Sequence, residues 1–206
     1  MQKQAYIFIG QSGAGKGTQA ALFEQKVRTV HPAAGILHLE TGAIFRSFIQ
    51  SDSYTAHETK ALIARGELPP SFIGVHVWSH ELIAQYSGQD FVFLDGTPRV
   101  IDEAPVLLSA AHFYGWKVNV VYIEVSDAWA NERLIGRGRH DDTDETERMG
   151  RLAWFHENVM PAVEYLKAAP GVNFLTINGE REIEVIQQDI CTQLEISSLD
   201  STTAVA

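Results

Sequence analysis

The 206-residue chain has a single cysteine, Cys191. That excludes an internal disulfide and a cysteine-rich zinc site. Long hydrophobic runs are missing as well. The longest, such as 118–123, fall far short of the roughly 20 apolar residues of a membrane-spanning helix, so no membrane partner is expected. Positive charge is scarce: 16 Lys and Arg stand against 26 Asp and Glu, a net −10. That balance argues against a nucleic-acid partner, whose backbone must be neutralised by cations. No secretory signal opens the sequence, and cytoplasm is the expected compartment. There is no internal repeat and no low-complexity core.

What is present is ordinary for a globular protein, with 45% hydrophobic and 20% charged residues. Short apolar runs at 5–9, 36–39, 91–94, 118–125 and 172–177 read as strands. Helix-compatible stretches at 16–29, 42–65, 71–86, 100–114, 127–136, 144–167 and 180–194 separate them. This alternation predicts an α/β fold, a doubly wound five-stranded parallel sheet with helices on both faces. Its ligand crevice is expected at the carboxyl ends of the strands. Residues 10–16, Thr41-Gly42, 95–99 and Asp127 all follow such ends. Two segments break the alternation and read as inserts, one at 40–70 and a short polar one at 137–143. The core is then 1–39, 71–136 and 144–196, and the small polar tail 197–206 is expected to be disordered.

Residues 10–20, GQSGAGKGTQA, join the first strand to the first helix. Glycines there let backbone N–H groups turn inward, the helix N-terminus adds positive dipole, and Lys16 adds a mobile full charge: a phosphate site. The general phosphate-loop pattern places Ser or Thr directly after the lysine. Here Gly17 occupies that position and the hydroxyl comes one residue later, at Thr18. The loop by itself does not name a reaction.

Asp95, ending the apolar run 91–94, is placed to hold Mg²⁺ through water, or else to serve as a turn residue or helix cap. Arg99, beyond Pro98, is suited to a bidentate phosphate contact or to a surface ion pair. Arg133, Arg137, Arg139, Arg148 and Arg151 fall close together. They read either as a phosphate-gripping cluster or as a solvated helix face laced with acidic residues. His76 and His80 have a zinc-compatible i, i+4 spacing but no convincing third ligand.

Taken together, the segments GQSGAGKGTQA, LHLETGAIFR, GELP, DGTPR, ERLIGRGRHDD and RLAWFHENVMPAV resemble, in order, the motifs of adenylate kinases and their nucleoside monophosphate kinase relatives. The resemblance covers about residues 5–195. It implies a core sheet, a monophosphate-binding insert at 40–70 and a short lid at 137–143. It implies that Gly13, Ala14, Gly15, Lys16, Gly17 and Thr18 hold ATP phosphates, with Arg133, Arg137 and Gly179 also on the ATP side. On the monophosphate side it implies Thr41, Gly42, Arg46, Glu67, Leu68, Pro69, Gly96, Arg99, Glu103, Arg139 and Arg151. The catalytic set is then Lys16, Arg99, Arg137, Arg139 and Arg151, with Mg²⁺ accompanying ATP and a monomer expected.

The sequence also departs from the family pattern. Ala43 stands where Asp is usual and Thr97 where Phe is usual. Glu103 replaces a Gln that reads the acceptor adenine. An ionised carboxylate accepts hydrogen bonds but cannot donate them, so Glu103 favours a base edge rich in donors. The interval from Arg139 to Arg151 is one residue longer than usual, so Arg148 shares candidacy with Arg151. The expected reaction is phosphoryl transfer from MgATP to AMP. The alternatives are a UMP/CMP or other monophosphate kinase, and a weakly active nucleotide-binding regulator.

Overall fold

Five apolar strands form one all-parallel sheet in the computed structural model of the chain, which describes residues 2–65, 67–137 and 144–196. They are β1 (Gln4–Ile9), β2 (Ile36–Glu40), β3 (Phe91–Asp95), β4 (Lys117–Glu124) and β5 (Val172–Asn178). The spatial order is β2-β3-β1-β4-β5. The chain therefore runs from β1 past one neighbour, then crosses to the other side, and the crevice opens where that direction reverses. Register aligns the strand ends there: Asp95 pairs with Phe8 on one side and Glu40 on the other, and Ile9 pairs with Tyr122.

The helices are α1 (Lys16–Val30), α2 (Thr41–Phe48), α3 (Tyr54–Ala64), α4 (Ser71–Gln85), α5 (Glu103–Tyr114), α6 (Asp127–Arg137), α7 (Glu145–Trp154), α8 (Met160–Ala168) and α9 (Ile183–Gln193). Strand side chains alternate between two cores, as the pleat requires. Tyr6, Phe8, Phe91, Phe93, Val121 and Ile123 face Phe23 and Val27 of α1 and Ile186 and Ile190 of α9. Ala5, Ile7, Val92, Leu94, Val118 and Val120 face Trp78 and Leu82 of α4, Leu107 of α5 and Val163 and Leu166 of α8. Both faces are covered, which is why these strands read as unbroken apolar runs.

The insert at 40–70 holds two helices, α2 and α3, as the sequence suggests; Ser53 caps α3 by accepting the Ala56 N–H at 3.1 Å. Two other helical stretches differ from their sequence expectation. The stretch from 100 becomes helical only at Glu103; its first N–H bonds the Val100 carbonyl in a tight turn. The stretch 144–167 holds a π-helical turn, Phe155–Val159, between α7 and α8. Asn158 donates its side-chain N–H to the Trp154 carbonyl there (3.2 Å), giving that carbonyl a partner within the altered ladder. Residues 138–143, with Arg139 and most of the expected lid, and the tail 197–206 lie outside the described residues. No helix among the described residues is long and apolar enough to cross a membrane.

Candidate active site

The glycine loop leaves β1 and enters α1 through Gly15, whose φ of 86° is the left-handed conformation that glycine adopts without strain. The loop is packed closely from behind. A Cβ on Gly13 would stand 2.5 Å from the Ala130 carbonyl of α6. The loop closes on itself through Ala14 N–H to the Gln11 carbonyl, and the Lys16 ammonium donates to that same carbonyl at 3.1 Å. The lysine is thereby folded back over the loop mouth at the start of a helix, where backbone N–H groups and dipole favour anions.

Asp95, at the end of β3, lies beside this loop. Its Oδ2 is 3.3 Å from where a Cβ on Gly17 would stand. Burial pushes its carboxyl above the ordinary range, and the Lys16 and His38 charges pull against that. Thr18, whose side chain is exposed in the first turn of α1, adds a hydroxyl in the same region. Carboxylate and hydroxyl oxygens are the hard donors that Mg²⁺ takes, mostly through water and phosphate oxygens. The residues present fit such an ion.

Across the crevice, α2 begins at Thr41, whose hydroxyl donates to the Asp95 carbonyl at 2.9 Å. Gly42 follows, and two guanidinium groups converge over it. A Cβ there would lie 3.1 Å from an Arg99 nitrogen and 3.3 Å from an Arg46 nitrogen. Arg99 is oriented by its Nε donating to the Gly96 carbonyl at 3.0 Å, and Arg46 contacts Glu40 at 3.3 Å. Two like charges held together in this way form a seat for a doubly charged anion.

A cleft of about 740 Å³ joins the two halves. Lys16, Thr41, Gly96, Arg99, Glu103 and Arg151 line it, and the backbone turn Glu67, Leu68 and Pro69 closes one side. The Glu67 carboxylate itself pairs with Arg65 at 2.6 Å. Glu103 is 5% exposed and accepts hydrogen bonds from the Thr97 hydroxyl and the Arg99 backbone N–H, both at 3.0 Å. Burial raises its carboxyl above the ordinary range, against the pull of those two bonds.

The remaining arginines divide. Arg151 of α7 lines the cleft, whereas Arg148 is buried and bonded to Asn131 of α6 at 2.9 Å. Arg133 rests over the Trp129 ring, 5.1 Å from its centroid, and is absent from the cleft wall. Arg137 ends α6, and Arg139 lies outside the described residues. Gly179 follows β5 so tightly that a Cβ would meet Ile123 and Val125 side chains at 2.6 Å. The His76 and His80 rings lie 5.6 Å apart, tilted by 33°, and among the described residues no group of three His, Cys, Asp or Glu could hold a metal ion.

Sequence reasoning missed Gly74 and Trp78, both on the α4 wall of the cleft. The signal for Gly74 was a lone glycine inside a helical pattern, which implies close approach by something. Here the neighbour is the Glu103 carboxylate. Trp78 carried no such signal; its indole N–H is buried without a hydrogen-bond partner.

Comparison with known proteins identifies the family. The adenylate kinase family model matches residues 8–170. An adenylate kinase of Corynebacterium aurimucosum is 34% identical over 184 residues, covering 89% of this chain and 94% of the relative. One from Prochlorococcus marinus is 31% identical over 189 residues (91% and 97%), and one from a Synechococcus species 33% over 196 residues (95% and 98%). With the family model matching residues 8–170 and relatives at 31–34% identity along nearly its whole length, the chain belongs to the adenylate kinase family.

Proposed function

We propose that the chain transfers the γ-phosphoryl group of MgATP reversibly to AMP, yielding two molecules of ADP. It is a nucleoside monophosphate kinase, a phosphotransferase by family. The observation that carries the AMP-site reading is one cleft lined by Lys16 together with Arg99 and Glu103. The ATP phosphates occupy the loop from Gly13 to Thr18. The α-phosphate of the acceptor sits between Arg46 and Arg99, with its base toward Thr41, the Glu67–Pro69 turn and Glu103.

The chemistry asks the protein for alignment and charge stabilisation, not for a general base. Lys16 leaves the Gln11 carbonyl for the transferring group, whose charge spreads over three oxygens. Arg99 holds the attacking phosphate in line. Arg151, with Arg137 and Arg139 from the lid, neutralises the charge developing between the nucleotides. Bound Mg²⁺ would supply further neutralisation of the β and γ oxygens, held by waters on Asp95 and by Thr18. The insert at 40–70 and the lid at 137–143 close over the cleft and exclude water, so that the acceptor phosphate receives the group. We place the enzyme in the cytoplasm, as a monomer.

A panel of nucleoside monophosphates assayed with MgATP for ADP release tests this reading. AMP-dependent ADP formation is expected. Absence of turnover with every acceptor, alongside ATP binding, would overturn it in favour of a non-catalytic nucleotide binder.

A further inference from the structure

The junction between β4 and α6, residues 123–130, is held between two loops. On one side is the phosphate loop. A Cβ on Gly10 would stand 2.5 Å from the Ile123 carbonyl, and one on Gly13 equally close to that of Ala130. Between these two glycines, Gln11 is 2% exposed and donates its side-chain N–H to the Val125 carbonyl at 2.9 Å. The backbone carbonyl of Gln11 is the one that accepts from the Lys16 ammonium and the Ala14 N–H. On the other side is the loop after β5. There the Gly179 N–H donates to the Glu124 carbonyl at 2.9 Å, and the Glu180 carboxylate accepts the Ser126 N–H at 2.6 Å.

The carbonyl of Val125 and the N–H of Ser126 belong to one peptide group. Gln11 therefore holds one end of that group and Glu180 the other. We propose that Gln11 and Glu180 are positioning residues of the donor half: by gripping opposite ends of the 125–126 peptide they keep the phosphate loop and the loop after β5 at a fixed separation, and so set the affinity for the nucleoside triphosphate. The inference rests on the reading that ATP phosphates occupy the loop from Gly13 to Thr18, with Gly179 also on the ATP side.

A trans peptide is planar and stiff, with its carbonyl and N–H pointing in opposite directions. A shift at either end tilts the plane and displaces the partner at the other. The two bonds also reinforce each other, because an N–H that donates to a carboxylate leaves its carbonyl a stronger acceptor. The Ser126 donors hold the Glu180 carboxyl below the ordinary range, so it is ionised at neutral pH. Among the described residues no donor reaches the buried Oε1 of Gln11, so the bond to Val125 is what orients that amide. Ser126 passes the constraint on to α6, whose start it caps by accepting the Trp129 N–H at 3.3 Å.

Calorimetric titration of the whole chain with MgATP alone, and separately with AMP alone, reads the donor half without turnover. Glu180 is exposed, so its variants leave the core intact. Glu180→Ala and Gln11→Met are each expected to raise the Kd for MgATP about fivefold, the worth of one hydrogen bond, with the Kd for AMP unchanged. Glu180→Gln keeps an oxygen for the Ser126 N–H and is expected to stay within about twofold of wild type. In the double variant Glu180→Ala with Gln11→Met, the loss should be smaller than the product of the single losses, because releasing one end already frees the other. A loss equal to that product, an equal loss of AMP binding, or wild-type MgATP binding by Glu180→Ala would overturn the inference while leaving the kinase reading intact. Should Gln11→Met fail to fold, the comparison of Ala with Gln at position 180 decides. Failure of the wild type to bind MgATP would instead bring down the reading of the phosphate loop and this inference with it.

Discussion

The Asp95 carboxylate occupies the space into which a side chain at position 17 would project, with Oδ2 3.3 Å from the place of a Cβ on Gly17. The glycine that displaces the usual hydroxyl of the phosphate loop to Thr18 therefore has a tertiary reason. It lets β3 bring an acidic group against the first turn of α1. Gly17→Val forces that carboxylate aside. The expected result is a fall in kcat of about 10²-fold, the order that small misplacements of aligned groups cost. The melting temperature should stay close to wild type, since position 17 is exposed at the helix start. Steady-state kinetics with a thermal scan checks both.

Lys16→Ala removes the one lysine at the loop mouth, where the ammonium bonds the Gln11 carbonyl. Turnover is expected to drop by about 10³-fold or more, as for other groups that stabilise transferring phosphoryl charge. The circular dichroism spectrum should be unchanged. Near-normal turnover would remove Lys16 from the mechanism.

Arg99→Lys keeps the charge but loses the planar fork that spans the Gly96 carbonyl and the space over Gly42. Its expected signature is a KM for the monophosphate raised about tenfold or more, with the KM for ATP little changed. An effect of equal size on both substrates would place Arg99 outside the acceptor half.

Binding in the acceptor half of the cleft should depend on pH through Glu103. Burial raises its carboxyl above the ordinary range, and Asp102 adds to that, whereas the Arg99 N–H, the Thr97 hydroxyl and the Arg99 charge oppose it. On the facing helices, Gly74 of α4 brings no charge and Arg151 of α7 shares the cleft. Protonation of the raised Glu103 carboxyl removes its charge from the acceptor half of the cleft. The KM for the monophosphate should therefore change as pH is lowered toward that raised value, and the change should be absent in Glu103→Gln.

Away from the cleft, Glu24 of α1 joins His38 of β2 at 2.6 Å and Arg28 at 2.6 Å. Burial alone would raise its carboxyl, but these partners outweigh burial and hold it below the ordinary range. A depressed carboxyl stabilises the fold above its unfolded-state value, roughly pH 4.3, and that stabilisation is lost as pH falls through the folded value. Glu24→Gln should cost about 1 kcal/mol near neutral pH. Denaturant titrations of both proteins should converge as the solution is acidified.

Much of this was legible in the sequence because it is local. Each strand is an apolar run buried on both faces, and the phosphate loop is one contiguous segment between β1 and α1. What was not legible depends on residues brought together only by the fold. Glu103 has one oxygen taken because Thr97 and the Arg99 backbone turn back toward it, and the other lies over Gly74, 29 positions earlier in the chain. Arg148 and Arg151 are equivalent by composition. They are separated by burial, one tied to Asn131 and the other on the cleft wall. The π turn at Phe155–Val159 leaves the hydrophobic spacing of a long helix nearly intact, so periodicity could not reveal it.

The most direct test of the account follows the phosphoryl group itself. ATP labelled with ³²P at the γ position is mixed with AMP, Mg²⁺ and enzyme in a single turnover, and the products are separated. The account predicts label in the β-phosphate of ADP formed from AMP, with none in inorganic phosphate. Label that stays entirely in ATP, or that appears as free phosphate while AMP is unchanged, would contradict it.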